Sequence, residues 1–159
     1  MDKPYVMFEF ILITYYICPW IFIIMITSPR INNTNFTSLR VELGELRFNH
    51  SYMVAVFDEG VDLNFENFGE ITNIIKTHFG DRPFGFISNR INSYSINLSD
   101  ANKFNKLFNN LKAYAVVAHN PITEKVFEIE DHFFKFNRKS FRNINDAIDW
   151  VENTLANTQ

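Results

Sequence analysis

Residues 113–133 read AYAVVAHNPITEKVFEIEDHF, and their reading decides the fold. Ala113 to His119 is apolar up to its closing histidine, as a strand buried on both faces requires. Asn120-Pro121 then starts a helix: a capping side chain, followed by a ring whose missing N–H costs nothing at the first helical position. Three- and four-residue steps set Ile122, Val126, Ile129 and Phe133 on one predicted face of that helix, read as the inward face. A strand of this kind leading directly into a helix is the unit of a parallel sheet with helical crossovers.

The same alternation continues on both sides. SLRVEL (38–43) and ELRFNHSY (45–52) alternate apolar and polar residues around a turn at Gly44, and MVAVFD (53–58) reads as an inner strand. A helix is predicted over Asn64–Phe79, with Phe65, Phe68, Ile71, Ile75 and Phe79 on one face. Pro83 opens the strand PFGFISN, in which Gly85 implies close backbone packing or a bulge. Ser99 or Asp100 can cap a helix carrying Ala101, Phe104, Leu107 and Leu111. FFKFN (133–137) reads as a last short strand, and Asn143 or Asn145 begins a terminal helix with Ala147, Ile148, Val151 and Leu155 on one face. The order ββ(β)αβαβαβα predicts an α/β fold: a mixed, largely parallel sheet of four to six strands flanked by helices, with right-handed crossovers.

The 159 residues divide into an apolar segment (1–30), a polar linker (31–37) and the α/β domain (38–156). From Tyr5 to Thr27 the chain is almost wholly apolar, and as a helix it reaches about 34 Å, enough for a hydrocarbon core of roughly 30 Å. Glu9 and Pro19 count against a span. The readings are a single transmembrane anchor, or a start-site artefact or unstructured extension; a cleaved signal peptide fits less well, because the charged n-region is thin and no small-residue cleavage site precedes Pro29. If the segment spans, Arg30, Arg40 and Arg47 outweigh Lys3 and set the domain on the cytoplasmic side.

Composition excludes more than it assigns. A net charge of −3 without a basic stripe argues against nucleic acid. One cysteine, Cys18, precludes an internal disulfide, and the four histidines lack metal-ligand spacing. The five glycines are isolated, so neither a phosphate loop nor a dinucleotide fingerprint is present. No catalytic residue, metal or cofactor is expected. The 18 phenylalanines, with abundant Asn, Ile and Lys, reflect codon bias.

The candidate binding group is the polar stretch after PFGFI: Ser88, Asn89, Arg90, Asn92, Ser93 and Tyr94. Ligands of open α/β sheets sit beyond the carboxyl ends of strands. One guanidinium among hydroxyls and amides suits a phosphate, a carboxylate or an acidic partner; the same side chains also suit a loop that satisfies its own turn backbone. Arg90→Ala is expected to leave folding nearly untouched while weakening binding. His119 and Asn120 end the neighbouring strand and open a helix, a place that favours anions and equally serves plain capping.

GDRPFGFISNRINSYSIN (80–97), LKAYAVVAHNPITEKVFEIEDHFF (111–134) and FRNINDAIDWVE (141–152) together resemble the STAS-like proteins of the SpoIIAA-like group, small bacterial domains described as STAS/Sec14-like. The resemblance covers roughly residues 38–153. It implies a STAS-type α/β domain serving regulation by protein contact or ligand sensing, generally without chemistry of its own. A protein partner is thus expected; a Sec14-like lipid or small-molecule ligand is the alternative, with membrane attachment through residues 5–27. In anti-sigma-factor antagonists a phosphorylated serine at a helix start is the switch. Ser88 and Ser99 are the serines to compare, though neither lies in that motif.

Overall fold

The computed structural model describes residues 36–158. The readings of residues 5–27 as anchor, extension or signal lie outside them. Among the described residues no helix is long and apolar enough to cross a membrane.

The chain opens with β1 (Thr37–Val41), β2 (Gly44–Phe48) and β3 (Tyr52–Phe57), an antiparallel meander. Val41 pairs with Gly44 across a two-residue turn, and Gly44 takes φ +155°. A Cβ there would stand 2.3 Å from the Val56 carbonyl oxygen, so the position is closed to larger residues. β5 (Phe84–Arg90), β7 (Leu111–Ala118) and β8 (Arg138–Phe141) add in parallel, giving a six-stranded sheet of order β1-β2-β3-β5-β7-β8. A parallel two-stranded ribbon, β4 (Asp62–Leu63) with β6 (Ser95–Ile96), was not anticipated from sequence.

Strand alternation sends successive side chains to opposite faces, and each face has its own core. On the first, Leu46, Met53, Phe57, Phe84 and Phe86 pack against Ile71, Ile75 and Phe79 of α1 (Gly69–Phe79). On the second, Tyr52, Val54, Ile87, Ala115 and Val117 pack against Ala147, Val151 and Leu155 of the terminal helix α4 (Ile144–Ala156). α4 lies so close to β5 that a Cβ on Gly85 would meet Val151 Cγ1 at 2.3 Å. The pairing of β5 with β7 also shifts register between Phe84 and Gly85, so both readings of that glycine hold.

Four expectations need correction. The first helix starts at Gly69 rather than Asn64, because the Asn64 side chain accepts from the N–H groups of Glu66 and Asn67 and holds a turn in place of helix. The helix after Asp100 is a single turn, α2 (Ala101–Phe104), entered through a 3₁₀ turn (Leu98–Asp100) capped by Asn97. Leu111 belongs to β7, and Asn105 is tied to the chain at Phe133 and Lys135. The last strand is Arg138–Phe141 rather than FFKFN, since those residues carry the register with Tyr114–Val117.

The fourth correction concerns α3 (Pro121–Asp131), which begins as expected, with Asn120 Oδ1 accepting from the Thr123 N–H at 2.9 Å. Its inward residues are Phe127 and Glu130, while Ile122, Val126, Ile129 and Phe133 face solvent. In this orientation Glu130 meets the guanidinium groups of Arg90 and Arg138 under the helix, and turning it away would leave both cations buried without their acid.

Candidate functional site

The alternation of β5 places Ser88 and Arg90 on the α1 side of the sheet and Asn89 on the other. Ser88 is fully buried and its Oγ lies 2.5 Å from the Tyr94 hydroxyl. Tyr94 returns over the strand end, so that the Arg90 guanidinium stands 4.7 Å from its ring centre. Arg90 Nη2 donates to both carboxylate oxygens of Glu130 at 2.8 Å, and only 3% of the arginine side chain is exposed.

A third charge completes the group. Arg138 Nη2, from the first residue of β8, donates to Glu130 Oε2 at 2.9 Å, and its side chain is 1% exposed. The rings of Tyr114, Phe127 and Phe134 lie within 5.0 Å of the Arg138 guanidinium carbon. Burial opposes the charge on Arg90, but coupling to Tyr94 and Glu130 outweighs it and raises its pKa. Burial likewise pushes the Tyr94 and Tyr114 hydroxyls up, against the opposing pull of the nearby arginine charges.

Arg90 is therefore not the solvent-facing cation expected from sequence. It is a buried bridge between a strand end and a helix, so its removal is now expected to cost stability. The other members of the polar stretch are drawn into backbone work. Asn92 Nδ2 donates to the Phe57 carbonyl at 2.9 Å, and Glu59 accepts the Ser93 N–H at 2.7 Å. On the opposite side Asn89 Oδ1 and His119 Nε2 lie 2.7 Å apart, so these two predicted residues do come together, both reachable by solvent. Asn120 is occupied by capping. Ser99 is exposed and bonds to the Asn97 side chain, whereas Ser88 is out of reach of any modifying group.

Beside the charge cluster lies an apolar cavity of about 50 Å³, walled by Phe57, Phe86, Phe104, Tyr114 and Phe134, with Arg138 at its charged end. Sequence reasoning missed Glu130, Arg138 and this cavity. The available signal was Glu130 standing three residues after Phe127, one helical face shared by an aromatic and an acid. Among the described residues no three His, Cys, Asp or Glu side chains converge as metal ligands would.

No protein-family model matches the chain, and no curated protein matches it. Among solved structures it is similar to the crystal structure of an uncharacterized protein from the DUF3478 family with a SpoIIAA-like fold, from Shewanella loihica PV-4. The TM-score is 0.47 at 16% sequence identity, covering 78% of this chain and 98% of that one. The likeness concerns fold and brings no residue role with it.

Proposed function

We propose that this domain is a non-enzymatic interaction module that receives an amphipathic helix of a partner protein along α3. The observation that carries the reading is the outward stripe Ile122, Val126, Ile129 and Phe133, with exposures of 75, 36, 58 and 46%. Within α3 the four-three spacing of Ile122, Val126 and Ile129 is that of a helix–helix seam, Phe133 follows just past the helix end, and helix-on-helix docking reads such anchors. A solvated helix face is otherwise polar.

Charge selects the occupant. On the helical wheel Lys125 and His132 border the stripe on its solvent side, both exposed. A partner helix with an acidic flank meets them. A second copy of this chain does not: antiparallel pairing sets Lys125 opposite His132, and parallel pairing offers it Thr123 or Glu130, the latter already held by two arginines.

The test compares the wild-type chain with Ile122→Glu/Ile129→Glu. The reading expects a bound protein that the double variant loses at unchanged melting temperature, with hydrogen exchange mapping contact to an amphipathic, acid-flanked segment. Equal retention by the variant overturns it. So does a wild-type dimer that the variant abolishes in sedimentation, or stripe-dependent binding to phosphatidylcholine–phosphatidylglycerol vesicles; these assign the stripe to a second copy or to a bilayer.

A further inference from the structure

We propose that the outer edge of β1 pairs with β1 of a second copy of this chain, antiparallel about a two-fold axis at Leu39, and joins two six-stranded sheets into one. Among the described residues β1 and β8 are the edges of the sheet, each paired on one side only. The two edges are guarded differently. β8 has four residues and holds Lys139 exposed, and short, lysine-bearing edges resist further pairing. β1 has five residues, with neither proline nor lysine, and no bulge interrupts its register with β2. Its one charge, Arg40, is turned inward: the guanidinium bonds to Asp58, which follows β3, and so lies back across β2 rather than over the open edge.

The occupant follows from the hydrogen bonds that β1 already makes. Val41 and Gly44 close the two-residue turn, so they exchange both backbone bonds, and the antiparallel pattern alternates from there. Leu39 and Thr37 thus spend their backbone groups on β2, whereas the N–H and C=O groups of Ser38 and Arg40 point to the open side. A second β1 centred on Leu39 sets Ser38 of each copy opposite Arg40 of the other, each pair exchanging both bonds. No like charges face each other directly, as they would with the axis at Arg40, and each Arg40 keeps its own Asp58. Leu39 then meets Leu39 at a position without hydrogen bonds, where side chains approach closest. In the single chain Leu39 is 41% exposed beside the fully buried Leu46, and this contact covers it. Thr37 and Val41, on the same face, pair as β-branched neighbours. The strand is therefore complementary to itself in backbone, charge and shape, and a two-fold contact closes at two copies. Five residues a side bury less than the roughly 1,200 Å² of a stable interface, so the pairing is reversible.

The experiment has two arms, both on the full chain in a density-matched detergent that keeps the apolar residues 5–27 from driving association. Sedimentation equilibrium should show a monomer–dimer equilibrium that Leu39→Lys, which sets like charges face to face across the axis, abolishes at an unchanged melting temperature. The second arm reads the register by oxidation in a Cys18→Ser background. Leu39→Cys places two thiols on Cα atoms about 4.5 Å apart, within disulfide reach. Ser38→Cys, equally exposed, stands diagonally from its copy beyond the roughly 7 Å limit, so Leu39→Cys should cross-link about tenfold more. A chain that stays monomeric to about 1 mM overturns the proposal and leaves the edge to another occupant. So does equal cross-linking of the two cysteine variants. Association that survives Leu39→Lys overturns it too and assigns the contact to another surface. The cross-linking arm stands even if Leu39→Lys fails to fold. Ile122→Glu/Ile129→Glu should dimerise as the wild type does, which keeps this outcome separate from that of helix docking on α3; loss of the dimer in that variant overturns the pairing of β1.

Discussion

Arg90 Nη2 is shared equally by the two carboxylate oxygens of Glu130, 2.8 Å from each, across forty residues of sequence. This contact joins the carboxyl end of β5 to the last turn of α3. It also fixes the rotation of α3, since a helix that points Glu130 at the sheet must point Ile122 and Ile129 away from it. The buried ion pair and the exposed apolar stripe are two faces of one constraint.

Glu130→Gln removes the one carboxylate that, among the described residues, is buried against Arg90 and Arg138, and leaves two cations close together. Breaking a buried pair by deleting one partner costs about 3–5 kcal/mol. Urea unfolding should show a loss of that size, and Arg90→Ala a loss well above 0.5 kcal/mol. By contrast Arg90→Met/Glu130→Leu/Arg138→Met, which takes out all three charges, should lie closer to wild type than Glu130→Gln does. A single variant within 0.5 kcal/mol of wild type would show that the cluster contributes nothing to the fold.

Gly85→Ala tests the contact between β5 and α4. The new methyl group meets Val151 Cγ1 at 2.3 Å, and also Tyr52 Cβ at 3.2 Å. Overpacking of this kind costs about 1–3 kcal/mol. Val151→Ala alone leaves a hole, but in combination with Gly85→Ala the two volume changes offset. The double variant should be more stable than the sum of the single losses predicts. Strict additivity in thermal melts would mean that the helix simply moves aside.

What the sequence made legible were the elements whose reasons are local. AYAVVAH is buried because it is continuous and apolar, and Asn120 and Asn143 cap α3 and α4 because their side chains reach N–H groups three residues on. The phase of α3 was not local. Its apolar residues form two sets, 122/126/129/133 and Phe127, and the choice between them is made by Arg90 and Arg138, from strands elsewhere in the sequence. The last strand was misplaced for a related reason. Phe134 and Phe136 have strand-like composition but pack into the first core, whereas the polar Arg138–Phe141 forms the ladder. The candidate site suffered most, since a lone arginine in a polar stretch looks free until its acid is found.

The rotation of α3 predicts an inverted mutational pattern. Ile122→Ser and Ile129→Ser exchange residues of similar helix propensity at exposed positions, so each should change stability by no more than about 0.5 kcal/mol. Phe127→Ala, on the buried side, should cost about 3–5 kcal/mol and also strips Arg138 of a ring 4.7 Å away. Denaturant midpoints decide the matter. If the isoleucine variants are the damaging ones, the helix sits as the sequence alone suggests.

Alkaline pH should unfold the domain earlier than its charge content implies. Burial pushes the Tyr52 hydroxyl up to about 12, with a smaller upward push from Glu152 and a downward one from its bond to Asn49. Tyr94 and Tyr114 are raised in the same direction, also by burial first. In the unfolded chain each tyrosine loses its proton near its ordinary value of about 10. Between about 10 and 12 the unfolded state therefore binds fewer protons than the folded one, and stability falls as pH rises. The contribution is complete below about 10 and is lost on passing through the folded values. Each tyrosine contributes a slope of up to about 1.4 kcal/mol per pH unit. Urea midpoints should be level from about pH 8 to 9.5 and then drop steeply by about 11.5. Tyr52→Phe, which has no proton to lose, should shallow that drop by one tyrosine's share. A midpoint at about pH 11.5 equal to that at pH 8 would mean that these hydroxyls ionise as readily in the folded protein as in water.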